Sequence, residues 1–238
     1  MALPPDRMPL LRGGRPLKRW RYTAVYGPEL MLCVGDARIG GIPQRWWALA
    51  LPDGRLFEGS RLDGSLVFDE GPGVEVLSPH GRSYIWTRKQ AGVQVSGTVR
   101  AGGAVFEISG PLGFIDESAG YHARHTSWRW SAGIGRLRDG RAVAWNLVDG
   151  VHDAPTSSER TVWVEGEPHE VPAVEFAPDL SAVGDMSFTE WCAREDHTNL
   201  LVMRSDYRQP FGSFAGRLPG GLELDSGYGV MEWHDVRW

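Results

Sequence analysis

Residues 116–160 read DESAGYHARHTSWRWSAGIGRLRDGRAVAWNLVDGVHDAPTSSER, and the rest of the chain is best understood from this run. It contains three of the seven histidines, three of the eleven tryptophans and two adjacent acids, Asp116 and Glu117. This mixture is too polar for an ordinary core and too aromatic for an ordinary surface. We therefore expect the run to line a pocket.

Side chains alternate between the two faces of a β-strand. If residues 121–134 form one long strand, this alternation assigns each of their side chains to one of two faces. His125 would then lie on the face opposite His122. The His122 face would also carry Arg124, Thr126, Trp128, Trp130 and Ala132. At a barrel mouth, this face could hold an amphiphilic ligand, with its polar end near His122 and its apolar end on the indoles. Against a partner sheet, the same tryptophans would be ordinary core.

Two more polar positions in the run are candidate ligand contacts. Asn146 interrupts the apolar row of a strand predicted over 142–149, and it must find hydrogen-bond partners in the backbone, in water or in a ligand. It is either a satisfied structural amide or a binding residue. Glu159 could help the segment 157–160 cap the pocket, although an ordinary contact between Glu159 and Arg160 would also explain this segment.

Residues 227–238, GYGVMEWHDVRW, predict another unusual strand. Glu232, His234 and Trp238 share one face of it, and Cβ atoms two residues apart on a strand are about 7 Å from each other. Glu232 and His234 could form a simple ion pair. Alternatively, the carboxylate could tune the imidazole for proton transfer.

The whole chain has the pattern of short strands joined by tight turns. It has 31 glycines and 16 prolines in 238 residues, and its β-branched and aromatic runs are separated by turn dipeptides such as Asp139-Gly140. No segment sustains a helical apolar period. We predict an all-β protein of two packed units, each a barrel or half-barrel of about eight strands. The expected divisions are a flexible arm over 1–15, an N-terminal unit over 16–110 and a C-terminal unit over 111–238.

Charge and motif content narrow the function classes. The net charge of −5 disfavours nucleic-acid binding, which depends on neutralising phosphates. No apolar run approaches the roughly 20 residues that span a bilayer, and the start lacks a signal-peptide core. The two distant cysteines, Cys33 and Cys192, fit a reducing compartment, so we expect a cytoplasmic protein. Without a metal-ligand, GxSxG or dinucleotide motif, we expect no metal and no cofactor.

Several motifs resemble known families. The segments GYHARHTSWRWSAGIG, GRAVAWNLVDG, SERTVWVEG and FGSFAGRLPGGLELDSGYGVMEWHDVRW resemble an uncharacterised bacterial family of unknown function, with KRWRY near the start as its N-terminal mark. More distantly, the arrangement from Gly120 to Trp128 resembles the GYHDHNWG-type motif of the lipocalin-like carotenoid hydratase and tocopherol cyclase group. This chain has HARHTSW where that motif has His-Asp-His-Asn-Trp, so the motif's acid has no counterpart here.

The distant resemblance implies lipocalin-like (calycin-like) β units and chemistry without a redox cofactor. An acid would protonate a carbon–carbon double bond, aromatic faces would stabilise the cation, and water or an internal hydroxyl would close on it. The residues expected to act as acid or base are Asp116, Glu117, His122, His125, Glu232 and His234. Those expected to contact the ligand are Arg124, Trp128, Trp130, Asn146, Glu159 and Trp238.

Two function classes stay open, and both involve a hydrophobic or amphiphilic small molecule. One is a cofactor-independent lyase, hydratase, cyclase or isomerase; the other is a non-catalytic protein that stores or presents the ligand. A binder needs only an aromatic pocket and one polar anchor, whereas an enzyme needs an acid–base pair near the reactive atom. Carbohydrate binding would instead require tryptophans in a flat, solvent-exposed row.

Overall fold

A computed structural model describes residues 5–199 and 204–238. About 70% of the structure is β-strand, and the helical content of these two ranges is a single 3₁₀ turn, Pro5–Arg7. A small hairpin of β1 (Leu11–Arg12) and β2 (Arg15–Pro16) follows this turn. The prediction of an all-β protein is confirmed.

The first large sheet is antiparallel, strongly curled and built from eight strands. In chain order they are β3 (Lys18–Tyr26), β4 (Met31–Ile39), β5 (Ile42–Ala50), β6 (Leu56–Gly59), β7 (Asp63–Phe68), β8 (Val74–His80), β9 (Ser83–Ala101) and β10 (Ala104–Gly120). Their spatial order is β6-β5-β4-β3-β10-β9-β7, and β8 pairs with the other half of the long strand β9.

The second large sheet also has eight antiparallel strands and forms a half-barrel. They are β11 (His125–Leu137), β12 (Ala142–Asp149), β13 (Thr161–Val164), β14 (Glu167–Glu170), β15 (Ala182–Val183), β16 (Asp185–Asn199), β17 (Arg204–Leu218) and β18 (Leu222–Arg237). The order in the sheet is β14-β13-β12-β11-β18-β17-β16-β15. Each sheet therefore has the strand number predicted for its unit.

The prediction of one continuous strand over residues 121–134 is wrong. Strand β10 ends at Gly120 and β11 begins at His125, so four residues connect the sheets. Polar groups of these four residues make hydrogen bonds that are not part of any strand pairing. The Tyr121 hydroxyl donates to the Pro9 carbonyl at 2.7 Å, and the Ala123 amide donates to His80 Nε2 at 2.8 Å. The change of sheet falls here and not at 110/111, because β10 continues past Gly110 through an irregularity in register.

Residues 5–15 are not the loose arm that their composition predicts. Met8 is buried against Leu17, Tyr84 and Tyr121, and the hairpin β1–β2 orders the next residues. The first four residues of the predicted arm lie outside the described ranges. Residues 194–198 belong to β16, because each pairs with a residue of β17.

The two large sheets share an aromatic core. Phe114 of β10 and Tyr22 of β3 contact Trp130 of β11 edge-on, with ring centroids 5.9 and 5.5 Å apart. Phe211 and Val230 of the second sheet are fully buried in the same cluster. Burial of aromatic area is a dominant stabilising contribution, so this shared cluster fixes the two units against each other.

Candidate functional site

A cavity of about 330 Å³ lies beside this core, with walls from both sheets. Its apolar wall is mainly indole, from Trp20, Trp46, Trp128, Trp130 and Trp238. Its titratable groups include Lys89, Asp116, His122, His152, Glu159, Arg194, Tyr207, Glu232 and His234. An aromatic cavity with a few convergent polar groups is the usual form of a small-molecule site.

Glu232 is a buried carboxyl on the cavity wall and contacts one of its tryptophans. Its Oε1 accepts from Trp128 Nε1 at 2.8 Å, and its Oε2 accepts from the Tyr207 hydroxyl at 3.0 Å and from Gln209 Nε2 at 2.9 Å. All three donors are uncharged. Burial raises the pKa of Glu232 to about 7, although the three hydrogen bonds oppose the rise. Near neutral pH this carboxyl is therefore poised to hold or release a proton.

His234, two residues along β18, lies between the same aromatic neighbours. Its ring is 4.4 Å from Trp128 and 5.1 Å from Tyr207 by centroid, and its Nε2 lies 2.8 Å from Ser205 Oγ. Burial lowers the pKa of His234 to about 4. An imidazole normally has a higher pKa than a carboxyl, but here the carboxyl of Glu232 has the higher pKa. Glu232 therefore keeps its proton at a pH where His234 is neutral.

A second polar cluster surrounds Lys89 of β9. Its Nζ bonds to Asp116 Oδ1 and lies 3.1 Å from Glu159 Oε2. Burial raises the pKa of Asp116, and Lys89 counters only part of this effect. Burial also acts to raise the pKa of Glu159, but His152 and Lys89 together lower it. The single ammonium of Lys89 therefore lies between two buried carboxyls whose pKa values shift in opposite directions.

Two buried histidines complete this end of the cavity. His122 is 3% exposed and stacks at 4.7 Å on Trp20, with His152 6.4 Å away by ring centroid. His152 has a left-handed backbone with φ of 56°, and its Nε2 lies 3.7 Å from Glu159 Oε1. Burial lowers the pKa of both imidazoles, so both are neutral bases near pH 7.

Four of the predicted site residues do not line the cavity. Glu117 follows Asp116 in β10 and therefore points to the opposite face, where it pairs with Arg21 and Arg88. His125 is half exposed and bonds to Asp235 at 2.8 Å, and Arg124 is exposed. The strand break at residues 121–124 removes Arg124 from the face that carries Trp128. His125 lies within β11 on the face opposite Trp128, as strand alternation predicts.

Asn146 is the fourth, and it proves to be a satisfied structural amide. It accepts from Trp130 Nε1 at 2.7 Å and donates to the Glu159 carbonyl at 2.9 Å. The expected contact between Glu159 and Arg160 is also wrong: Arg160 donates to the carbonyls of Ala154 and Val171. Asn146 thus positions the tryptophan and the loop that carries Glu159.

The eight remaining predicted residues all line the cavity: Asp116, His122, Trp128, Trp130, Glu159, Glu232, His234 and Trp238. Sequence reasoning missed Lys89, His152 and Tyr207. For Lys89 a signal was present, since Thr87 and Lys89 are two residues apart in a strand and share a face. His152 comes from a loop and Tyr207 from another strand, and no local spacing connects them to the site.

The two eight-stranded antiparallel sheets, their shared core and the cavity between them define an all-β protein. The chain belongs to the family described as Domain of unknown function (DUF2804), whose model matches residues 51–238. The KRWRY segment, predicted as a family mark, precedes the matched range. No curated protein matches the chain in sequence.

Solved structures with a similar fold include CghA, at 10% identity over 93% of this chain and 88% of that chain, with a TM-score of 0.52. CghA with Sch210972 matches with the same identity and coverage and a TM-score of 0.51. Kievitone hydratase from Nectria haematococca matches at 7% identity over 96% of this chain and 94% of that chain, with a TM-score of 0.45. At 10% identity the likeness to the two CghA structures shows the fold alone.

Within residues 5–199 and 204–238, no helix has the length and apolar character needed to cross a membrane. The same ranges contain no group of three or more histidine, cysteine, aspartate or glutamate side chains arranged to hold a metal ion.

Proposed function

We propose that this protein is a cofactor-independent enzyme that transfers protons to and from an apolar small molecule, as a hydratase, cyclase or isomerase. The observation that carries the proposal is Glu232, a buried carboxyl in an aromatic cavity whose hydrogen-bond donors are all uncharged. Such a carboxyl is neutral where an exposed one is ionised, and an acid with a pKa near the working pH is the most effective proton donor.

In the proposed reaction, Glu232 gives its proton to one carbon of a double bond. The carboxyl O–H bond breaks as a C–H bond forms, and the positive charge moves to the neighbouring carbon. The faces of Trp128 and Trp130 stabilise this charge, because an aromatic face is electron-rich.

The second half of the reaction requires a base, and His122 and His152 provide neutral imidazoles on the cavity wall. In hydration, water attacks the cation and loses a proton to one of them; in cyclisation, a hydroxyl of the substrate takes the place of water. In isomerisation, the base removes a proton from carbon.

The occurrence of this fold in CghA, whose structure is known with Sch210972, supports a small-molecule ligand. Carbohydrate binding on a flat row of exposed tryptophans is disfavoured, since Trp130 is 6% exposed. The alternative is a non-catalytic binding protein. One observation favours this alternative: Glu232 already makes three hydrogen bonds, and a carboxyl bonded in this way can have a purely structural role.

The test begins with native mass spectrometry of protein purified from its own host, which identifies a co-purifying ligand. That compound and its dehydrated or rearranged forms are then incubated with the protein in D2O, and deuterium on carbon is measured. We expect incorporation by the native protein, and a loss of about 100-fold or more in Glu232→Gln with ligand affinity kept. His125→Gln, outside the cavity, is the matched control.

Unchanged incorporation in Glu232→Gln would overturn the assignment of Glu232 as the acid. A ligand that binds tightly and exchanges no carbon-bound hydrogen would support the binding protein instead.

A further inference from the structure

The corner of the cavity around Glu159 contains polar atoms that the protein itself does not satisfy. Among the described residues, Glu159 Oε1 and His152 Nδ1 are buried and have no hydrogen-bond partner. Both side chains are more than nine-tenths buried, at 2% and 6% exposure. Leaving such atoms unpaired is costly, so this corner is built to receive a polar group.

The two unpaired atoms point to the chemistry of that group. The His152 Nε2 to Glu159 Oε1 distance of 3.7 Å is too long for a hydrogen bond, so each group can bond to a third partner. Glu159 Oε1 requires a donor, while a neutral imidazole nitrogen can donate or accept. A hydroxyl group has one donor hydrogen and two lone pairs, so it supplies the donor that Glu159 Oε1 requires and can pair with the His152 imidazole in either role.

The charges in this corner favour a neutral group. Lys89 already lies 3.1 Å from Glu159 Oε2 and bonds to Asp116 as well, so the ionised Glu159 has its cation. A ligand ammonium would bring a second positive charge close to Lys89, which costs energy at low dielectric. Thr87, whose hydroxyl lies close to the Glu159 carboxyl, adds a further neutral polar group.

We propose that Glu159 and His152 form an anchor for a hydroxyl group of the ligand, which orients the apolar part of the ligand along the indole wall toward Glu232. The proposal deepens the proposed function and rests on its cavity being a ligand site. It names the substrate class: an apolar molecule, of a size to enter a cavity of about 330 Å³, with a hydroxyl at one end.

Three probes of similar size test the anchor by isothermal titration calorimetry at pH 7. The first, 2-naphthol, donates a hydrogen bond; 2-methoxynaphthalene keeps the oxygen but cannot donate; 2-(aminomethyl)naphthalene carries an ammonium. We expect 2-naphthol to bind about tenfold tighter than 2-methoxynaphthalene. The preference should fall to about threefold or less in Glu159→Gln and in His152→Phe.

His125→Phe, an exposed histidine outside the cavity, is the control and should keep the tenfold preference. Circular dichroism and indole emission establish whether each variant is folded. If either Glu159→Gln or His152→Phe fails to fold, the other still tests the anchor. Equal affinities for the first two probes would mean that the corner holds only water, and this would overturn the anchor.

Two other results would also overturn the hydroxyl anchor. Tightest binding by the ammonium probe would assign the corner to a cation, and a complete lack of binding by all three probes would show that it is closed to ligands. The proposed function fails by a different result, namely unchanged turnover in Glu232→Gln. The two failures are therefore distinguishable.

Discussion

The protonation of Glu232 at neutral pH should be measurable in the stability of the fold, without any substrate. Its pKa rises from the ordinary value of 4.5 to about 7 because of burial. Between these two pH values the folded protein keeps a proton that the unfolded chain has released, so the free energy of unfolding falls as pH rises. At about 1.4 kcal/mol for each pKa unit, the loss through this group is about 3 kcal/mol.

Glu232→Gln removes this titration and leaves the other groups in place. We expect the free energy of unfolding, measured with urea, to fall between pH 4.5 and pH 7.5 in the native protein. The fall should exceed that of Glu232→Gln by about 3 kcal/mol. A constant cost of the amide cancels in this comparison between two pH values. Since the hydrogen bond from Trp128 lowers the pKa of Glu232, Trp128→Phe should shift the loss to higher pH.

The matched control is Trp233→Phe, because Trp233 is the next residue of β18 and packs in the core on the other face. It should leave the pH dependence of the native protein unchanged. A difference between native protein and Glu232→Gln that is the same at both pH values would show that Glu232 is ionised in the fold. The proposed proton donor would then be wrong.

Three further changes test other parts of the structure. Lys89→Met removes the cation between two buried carboxyls and should cost about 3–5 kcal/mol in urea unfolding at pH 8, with much of it recovered at pH 5 as the carboxyls take up protons. Gly133→Ala would place a Cβ 2.2 Å from the Trp145 ring, so its melting temperature should fall by several degrees, whereas Gly71→Ala, with open space around it, should change it little. His125→Ala should alter neither ligand affinity nor turnover, and an effect on either would contradict its place outside the cavity.

The strand content and much of the indole wall could be predicted from the sequence, because period-two alternation is a local property. Trp128 and Trp130 share a face in β11 as the alternation required, and both line the cavity. The break at residues 121–124 was not predictable in this way. It depends on bonds from this connection to Pro9 and His80, which are distant in sequence.

The arrangement of charged groups in the site could not be predicted from the sequence. Asp116 and Glu117 are adjacent, and composition gave no reason to prefer one as the cavity acid. The choice comes from Lys89 on the paired strand β9, directly opposite Asp116. Partners across a ladder are set by register, and register depends on the whole sheet.

The aromatic core around Trp130 has a consequence for the folding of the chain as a whole. Because Phe114 and Tyr22 from one sheet and Phe211 and Val230 from the other are buried in a single cluster, neither sheet can expose its inner face without exposing that of the other. The two sheets should therefore unfold in one cooperative transition. A ligand held between them would stabilise both through mass action, so a thermal-shift screen reports on cavity occupancy even before any reaction is known.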